Sequence, residues 1–123
     1  MYEIAKEFGL SASHVLTKVP PGHPCGRLHG HNYTFEFVLG DHNLDERGFV
    51  CDYRDFDIVK RWIDETLDHR HLNVAVGEAF GVTFEPTAES LARFLYEKWA
   101  APFPQLVAVR VRETPKTLAE YRP

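Results

Sequence analysis

His29-Gly30-His31-Asn32-Tyr33-Thr34-Phe35-Glu36-Phe37-Val38-Leu39 carries its rings on odd positions, and Leu39 closes the series. Side chains alternate between faces along a strand, so this period of two predicts a strand over residues 29–39. Its apolar face begins with two imidazoles. Upstream, Tyr2, Ile4, Phe8, Leu10 and Ala12 favour even positions up to His14, a second strand interrupted at Lys6. Between the two lies Val19-Pro20-Pro21-Gly22-His23-Pro24-Cys25-Gly26, whose prolines and glycines preclude a ladder and make a loop.

Downstream, Gly40-Asp41-His42-Asn43 turns the chain, and Phe49-Val50-Cys51 adds a short extended piece. Asp52 or Asp55 caps a helix running to about Leu67, with Phe56, Val59, Trp62, Ile63 and Thr66 on one face. A glycine-containing connection leads to Pro86-Thr87, which opens a second helix striped by Leu91, Phe94, Leu95 and Trp99. Pro102 and Pro104 end it. From Leu106 to Glu113 a strand turns Val107, Val109 and Val111 inward and Arg110 and Arg112 outward. Pro115-Lys116 then makes a hairpin into Thr117–Arg122. The expected order is ββααββ, an α+β domain over residues 1–123: a four-stranded antiparallel sheet with two helices on one face. Such a sheet has edges that other subunits are suited to complete.

The chain has 123 residues, 44% hydrophobic and 13% aromatic, enough for one core without disulfide staples. Eighteen acidic residues against 14 Lys and Arg give a formal net charge of −4, which argues against nucleic acid as the main partner. A small basic pocket for one phosphorylated metabolite is compatible with that balance. No apolar run approaches the roughly 20 residues needed to span a bilayer, and Met1-Tyr2-Glu3-Ile4-Ala5-Lys6 lacks a leader layout. The expectation is a soluble, cytoplasmic protein with no membrane partner.

Seven histidines stand out, and four of them, His14, His23, His29 and His31, come early. His29 and His31 share a strand face, and His14 has the parity of the apolar set on its own strand. If the two strands pair, three imidazoles converge at one end of the apolar face, a donor set that suits zinc. Taken alone, a His-X-His pair is equally compatible with surface histidines.

Cys25 lies four residues before His29, close enough in sequence to the candidate zinc ligands to serve as a base or nucleophile. A fourth zinc ligand or a disulfide to Cys51 are the other uses of that thiol; an acidic chain without a leader disfavours the disulfide. Asp68-His69 is a carboxylate beside an imidazole, an acid/base arrangement or a solvated helix exit, with His71 a rival for the same role. Glu113 ends the last long strand, either as a solvated strand end or as a bidentate acceptor for two adjacent N–H donors.

Together these residues resemble the 6-pyruvoyl-tetrahydropterin synthase superfamily. The carriers are Ser11-Ala12-Ser13-His14, Cys25-Gly26-Arg27-Leu28-His29-Gly30-His31-Asn32-Tyr33, Leu67-Asp68-His69-Arg70-His71-Leu72-Asn73, Glu85-Pro86-Thr87-Ala88-Glu89 and Arg112-Glu113-Thr114. They span nearly the whole chain. The spacing of Cys25 to His29 resembles the bacterial 6-carboxy-5,6,7,8-tetrahydropterin synthase branch.

The resemblance implies the tunnelling fold, a homohexamer built as a dimer of trimers, and active sites between subunits. It implies zinc on His14, His29 and His31, Cys25 as base, and Asp68 and His69 as a proton relay. Glu113 would anchor the pterin, with Thr87 and Glu89 lining the site. The implied reaction turns 7,8-dihydroneopterin triphosphate into 6-carboxy-tetrahydropterin, acetaldehyde and triphosphate, on the route to queuosine and related deazaguanine nucleosides. Lys18, Arg27, Arg70 and Lys116 are the cations available for the triphosphate. Three other readings stand beside this one: 6-pyruvoyl-tetrahydropterin formation, a non-catalytic zinc module with Cys25 as fourth ligand, and a zinc hydrolase using Glu89. His23 and His42 have no assigned task.

Overall fold

The computed structural model describes residues 1–123. Strand β1 (Tyr2–His14) pairs antiparallel with β2 (His29–Asp41) over their full length, Tyr2 facing Asp41 and His14 facing His29. Helix α1 (Asp57–Thr66) follows a short 3-10 turn at Tyr53–Phe56 that Asp52 caps by accepting the Arg54 N–H. Next come β3 (Arg70–His71), α2 (Leu72–Phe80), α3 (Ala88–Trp99), β4 (Leu106–Arg112) and β5 (Ala119–Tyr121). The sheet order is β3-β1-β2-β4-β5.

The α+β class and the helices on one sheet face agree with the sequence reading. Its ββααββ order and its four-stranded antiparallel sheet do not. The sheet has five strands and is mixed, because β3 runs parallel to β1. A third helix, α2, replaces the expected connection. Its residues hid it: Val74, Val76 and Gly77 are weak helix formers, and its first turn has no side-chain cap. Burial of Leu72, Ala75 and Val76 on one stripe holds it in place, and Gly81, at φ 77°, ends it in the left-handed conformation. No strand forms at 49–51, although Val50 is buried, and β2 continues through Gly40 to Asp41 where a turn was expected.

Within β4 the expected parity breaks. Val38 pairs with Ala108 but Leu39 pairs with Leu106, so Val107 is the extra residue of a bulge. Leu106 turns inward in its place and is buried, while Val107 is half-buried.

One core joins the sheet to the helices. Phe8, Leu10, Tyr33, Phe35, Phe37 and Val109 pack against Phe56, Ile63, Leu72, Leu91 and Leu95. On the opposite sheet face Glu36 is buried between Arg110 and Arg112, its carboxylate oxygens 2.9 and 2.8 Å from their guanidinium nitrogens. The outer edge of β1 is paired only at Ala12 and Ser13, which leaves Tyr2 to Ser11 without a strand neighbour. No helix is long and apolar enough to cross a membrane.

Candidate metal centre and the residues around it

Full-length pairing of β1 and β2 brings His14, His29 and His31 to one end of the helix-covered face, with ligand atoms within 4.8 Å of one another. His14 is fully buried, and the other two are half-buried. Carbonyl oxygens fix two of the tautomers. His14 Nδ1 lies 2.8 Å from the Pro86 carbonyl and His29 Nδ1 lies 2.7 Å from that of Arg27. A carbonyl only accepts, so each Nδ1 carries its proton and each Nε2 presents a lone pair.

Those two Nε2 atoms face each other across 2.9 Å. The buried Nε2 of His31 has no hydrogen-bond partner. Glu113 adds a carboxylate oxygen 3.4 Å from His14 Nε2 and 3.3 Å from His31 Nε2. Lone pairs and a carboxylate directed at one point call for a cation between them, and three neutral imidazoles are a zinc-type donor set. Burial, together with the neighbouring imidazoles, pushes the His31 pKa down despite Glu113, which favours the neutral form a ligand needs. These residues fit a metal ion.

The support lies in residues that sequence reasoning left unassigned. Glu85 receives the Thr17 N–H, the Thr17 hydroxyl at 2.9 Å and the Lys18 N–H at 3.2 Å. The Leu16 N–H donates to the Cys25 carbonyl at 2.9 Å. Glu85-Pro86-Thr87 thereby ties the loop carrying Cys25 to the carbonyl that orients His14. Tyr33 places its hydroxyl 3.2 Å from His14 Nδ1, and burial raises its phenol pKa, so the ring stays neutral. No local periodicity marks such long-range polar contacts.

Of the other expected site residues, Cys25 is a free, half-buried cysteine in the 3-10 turn Pro24–Gly26 and is not one of the clustered ligands. Thr87 caps α3 by accepting the Ser90 N–H at 3.1 Å, and Glu89 is exposed in the first turn. Neither joins the histidine cluster.

Asp68 and His69 do form a pair, 2.9 Å from Oδ1 to Nδ1. Asp68 Oδ1 also accepts the Ser11 N–H at 2.9 Å, and these two donors hold its carboxyl below the usual range against a desolvation cost. The His69 N–H donates to the Ser11 carbonyl. His69 has φ 60°, unusual for a residue with a side chain, and its ring is 80% exposed. The backbone is held in a costly conformation to present an imidazole to solvent. This pair docks on the outer edge of β1 at Ser11, three residues or about 10 Å of strand before His14. No hydrogen bond or ion pair joins it to the histidine cluster of its own chain.

An α+β chain with three converging imidazoles, a flanking carboxylate and a separate carboxylate–imidazole pair carries a candidate metal site and a candidate acid/base pair. Residues 3–123 match the family profile for 6-pyruvoyl tetrahydropterin synthase, and the chain belongs to that family. It is 30% identical to the 6-carboxy-5,6,7,8-tetrahydropterin synthase of Bacillus subtilis, over 99% of this chain and 86% of that one. The protein of the same name from Haemophilus influenzae is 31% identical over 99% of both. Among solved structures, Caenorhabditis elegans 6-pyruvoyl tetrahydropterin synthase superposes with a TM-score of 0.82 at 27% identity, covering 99% of this chain and 95% of its own.

Proposed function

We propose that this chain is a zinc-dependent 6-carboxy-5,6,7,8-tetrahydropterin synthase, acting on 7,8-dihydroneopterin triphosphate and releasing acetaldehyde and triphosphate for deazaguanine synthesis. One observation carries the reading: three imidazoles converge on one point, two of them with Nε2 lone pairs facing each other across 2.9 Å, in a chain whose curated relatives bear that name. A zinc ion there would supply Lewis-acid polarisation of the substrate's side-chain oxygens, acidifying the adjacent C–H.

The protein's own groups move the protons. Cys25, on the loop fastened by Glu85, serves as base on one side of the substrate. Asp68 accepts a hydrogen bond from the Nδ1–H of His69, which leaves His69 Nε2 to take or deliver a proton on the other. Glu113, beside His14 and His31, is positioned to receive the paired N–H donors of a pterin. Thr87 and Glu89 line the approach at the start of α3.

The outward-facing pair on β1 serves the metal centre of a second copy, in keeping with the unpaired length of that strand and with a homohexamer that shares its sites. The Cys25→Ala variant tests the enzyme reading against a closed four-ligand zinc module. Zinc content near one per chain with turnover reduced at least ~100-fold is expected; loss of zinc from the variant contradicts the reading.

A further inference from the structure

A cleft of about 490 Å³ opens on the sheet face away from the helices. Its lining includes Ser11, Ser13, Asn32, His69, Arg70 and His71, and reaches His31 of the histidine cluster. The size suits a small ligand. Although the chain carries more acidic than basic residues, no carboxylate lines this cleft. Asp68, next to His69 in the chain, is engaged by the Ser11 amide and by His69.

Its hydrogen-bonding groups are left as donors. The Ser11 hydroxyl donates to Asn32 Oδ1 at 2.7 Å, which occupies the amide's acceptor and leaves its NH₂ unspent. Ser13 Oγ and His71 Nδ1 lie 3.0 Å apart. If the hydroxyl donates, the imidazole keeps a free Nε2–H; if the imidazole donates, the hydroxyl keeps its O–H. Either tautomer presents one donor. Arg70 spends one N–H on the Glu65 carbonyl at 3.0 Å and retains the rest of its fork. A wall of donors and fixed positive charge with no carboxylate is the chemistry of an anion site, and a guanidinium fork favours phosphate.

We infer that this cleft binds the oligophosphate tail of the substrate, with Arg70, His71, Ser13 and Asn32 as its holders. The assignment rests on the proposed reaction, which needs a triphosphate beside the carbons that His69 serves. His69 stands in the same wall, so a tail anchored by Arg70 and His71 brings the neighbouring carbons to its Nε2. The same chemistry would retain free triphosphate after elimination.

The test uses zinc-loaded protein titrated calorimetrically with inorganic tripolyphosphate, with metal content checked afterwards. Wild type should bind, and Arg70→Gln and His71→Phe should each weaken binding about tenfold or more. Lys60→Gln, a cation on the exposed side of α1, should leave binding unchanged. With dihydroneopterin triphosphate, the two cleft variants should raise KM and keep zinc, whereas binding of unphosphorylated dihydroneopterin should not move. Absence of tripolyphosphate binding to wild type, or equal binding by all variants, overturns the site even if turnover is normal. If wild type gives no turnover but tripolyphosphate binding still depends on Arg70 and His71, the anion site stands and the proposed reaction falls.

Discussion

Between Nε2 of His14 and Nε2 of His29 two lone pairs face each other at 2.9 Å, an arrangement unfavourable without a cation. The carbonyls of Pro86 and Arg27 impose it by accepting hydrogen bonds from both Nδ1–H groups. This part of the site was legible, since the opposite parities of His14 and of His29 with His31 become one face once the strands pair. The place of Glu113 was legible only in part. Its parity put it on the inner face, but its approach to within 3.4 Å of the imidazoles depends on sheet order across β2 and β4. Two uses of that carboxylate separate cleanly. As a substrate acceptor, Glu113→Gln should raise KM at least ~10-fold with zinc content intact. Zinc loss on metal analysis of that variant would make Glu113 a ligand instead.

At the scale of elements, the segment from Asp68 to Asn73 is fastened to β1 and to Val15 just beyond it by side-chain-to-backbone contacts that no periodicity reveals. Asp68 receives the Ser11 N–H, and the amide of Asn73 both accepts from Val15 N–H and donates to the Val15 carbonyl, each at 2.9 Å. These clamps create β3 and start α2, which explains why both were missing from the expected order. The long strands and α3 were readable because their burial follows period and caps; α2 depends on tertiary contacts that override Val74, Val76 and Gly77. Asn73→Ala removes two hydrogen bonds and should cost about 1–3 kcal/mol in chemical denaturation. It should also lower turnover while leaving zinc bound, because the His69 segment loses its anchor. Unchanged stability would show that the clamp is not needed.

For the whole molecule, the histidine cluster lies on the helix-covered face, whereas Asp68 and His69 dock on the far edge of β1. A catalytic unit assembled from two copies follows if both act on one substrate. Mixed and re-assembled Cys25→Ala and His69→Ala chains, each nearly inactive, should recover up to about a quarter of wild-type activity per site when random pairing unites two intact halves. No recovery above the separate variants would place the whole apparatus within one chain. The most direct test of the proposed reaction is product analysis. Zinc-loaded protein is incubated with 7,8-dihydroneopterin triphosphate, and products are identified by mass. Equal amounts of 6-carboxy-5,6,7,8-tetrahydropterin and acetaldehyde, with triphosphate released, are predicted; a 6-pyruvoyl product without acetaldehyde would contradict the assignment.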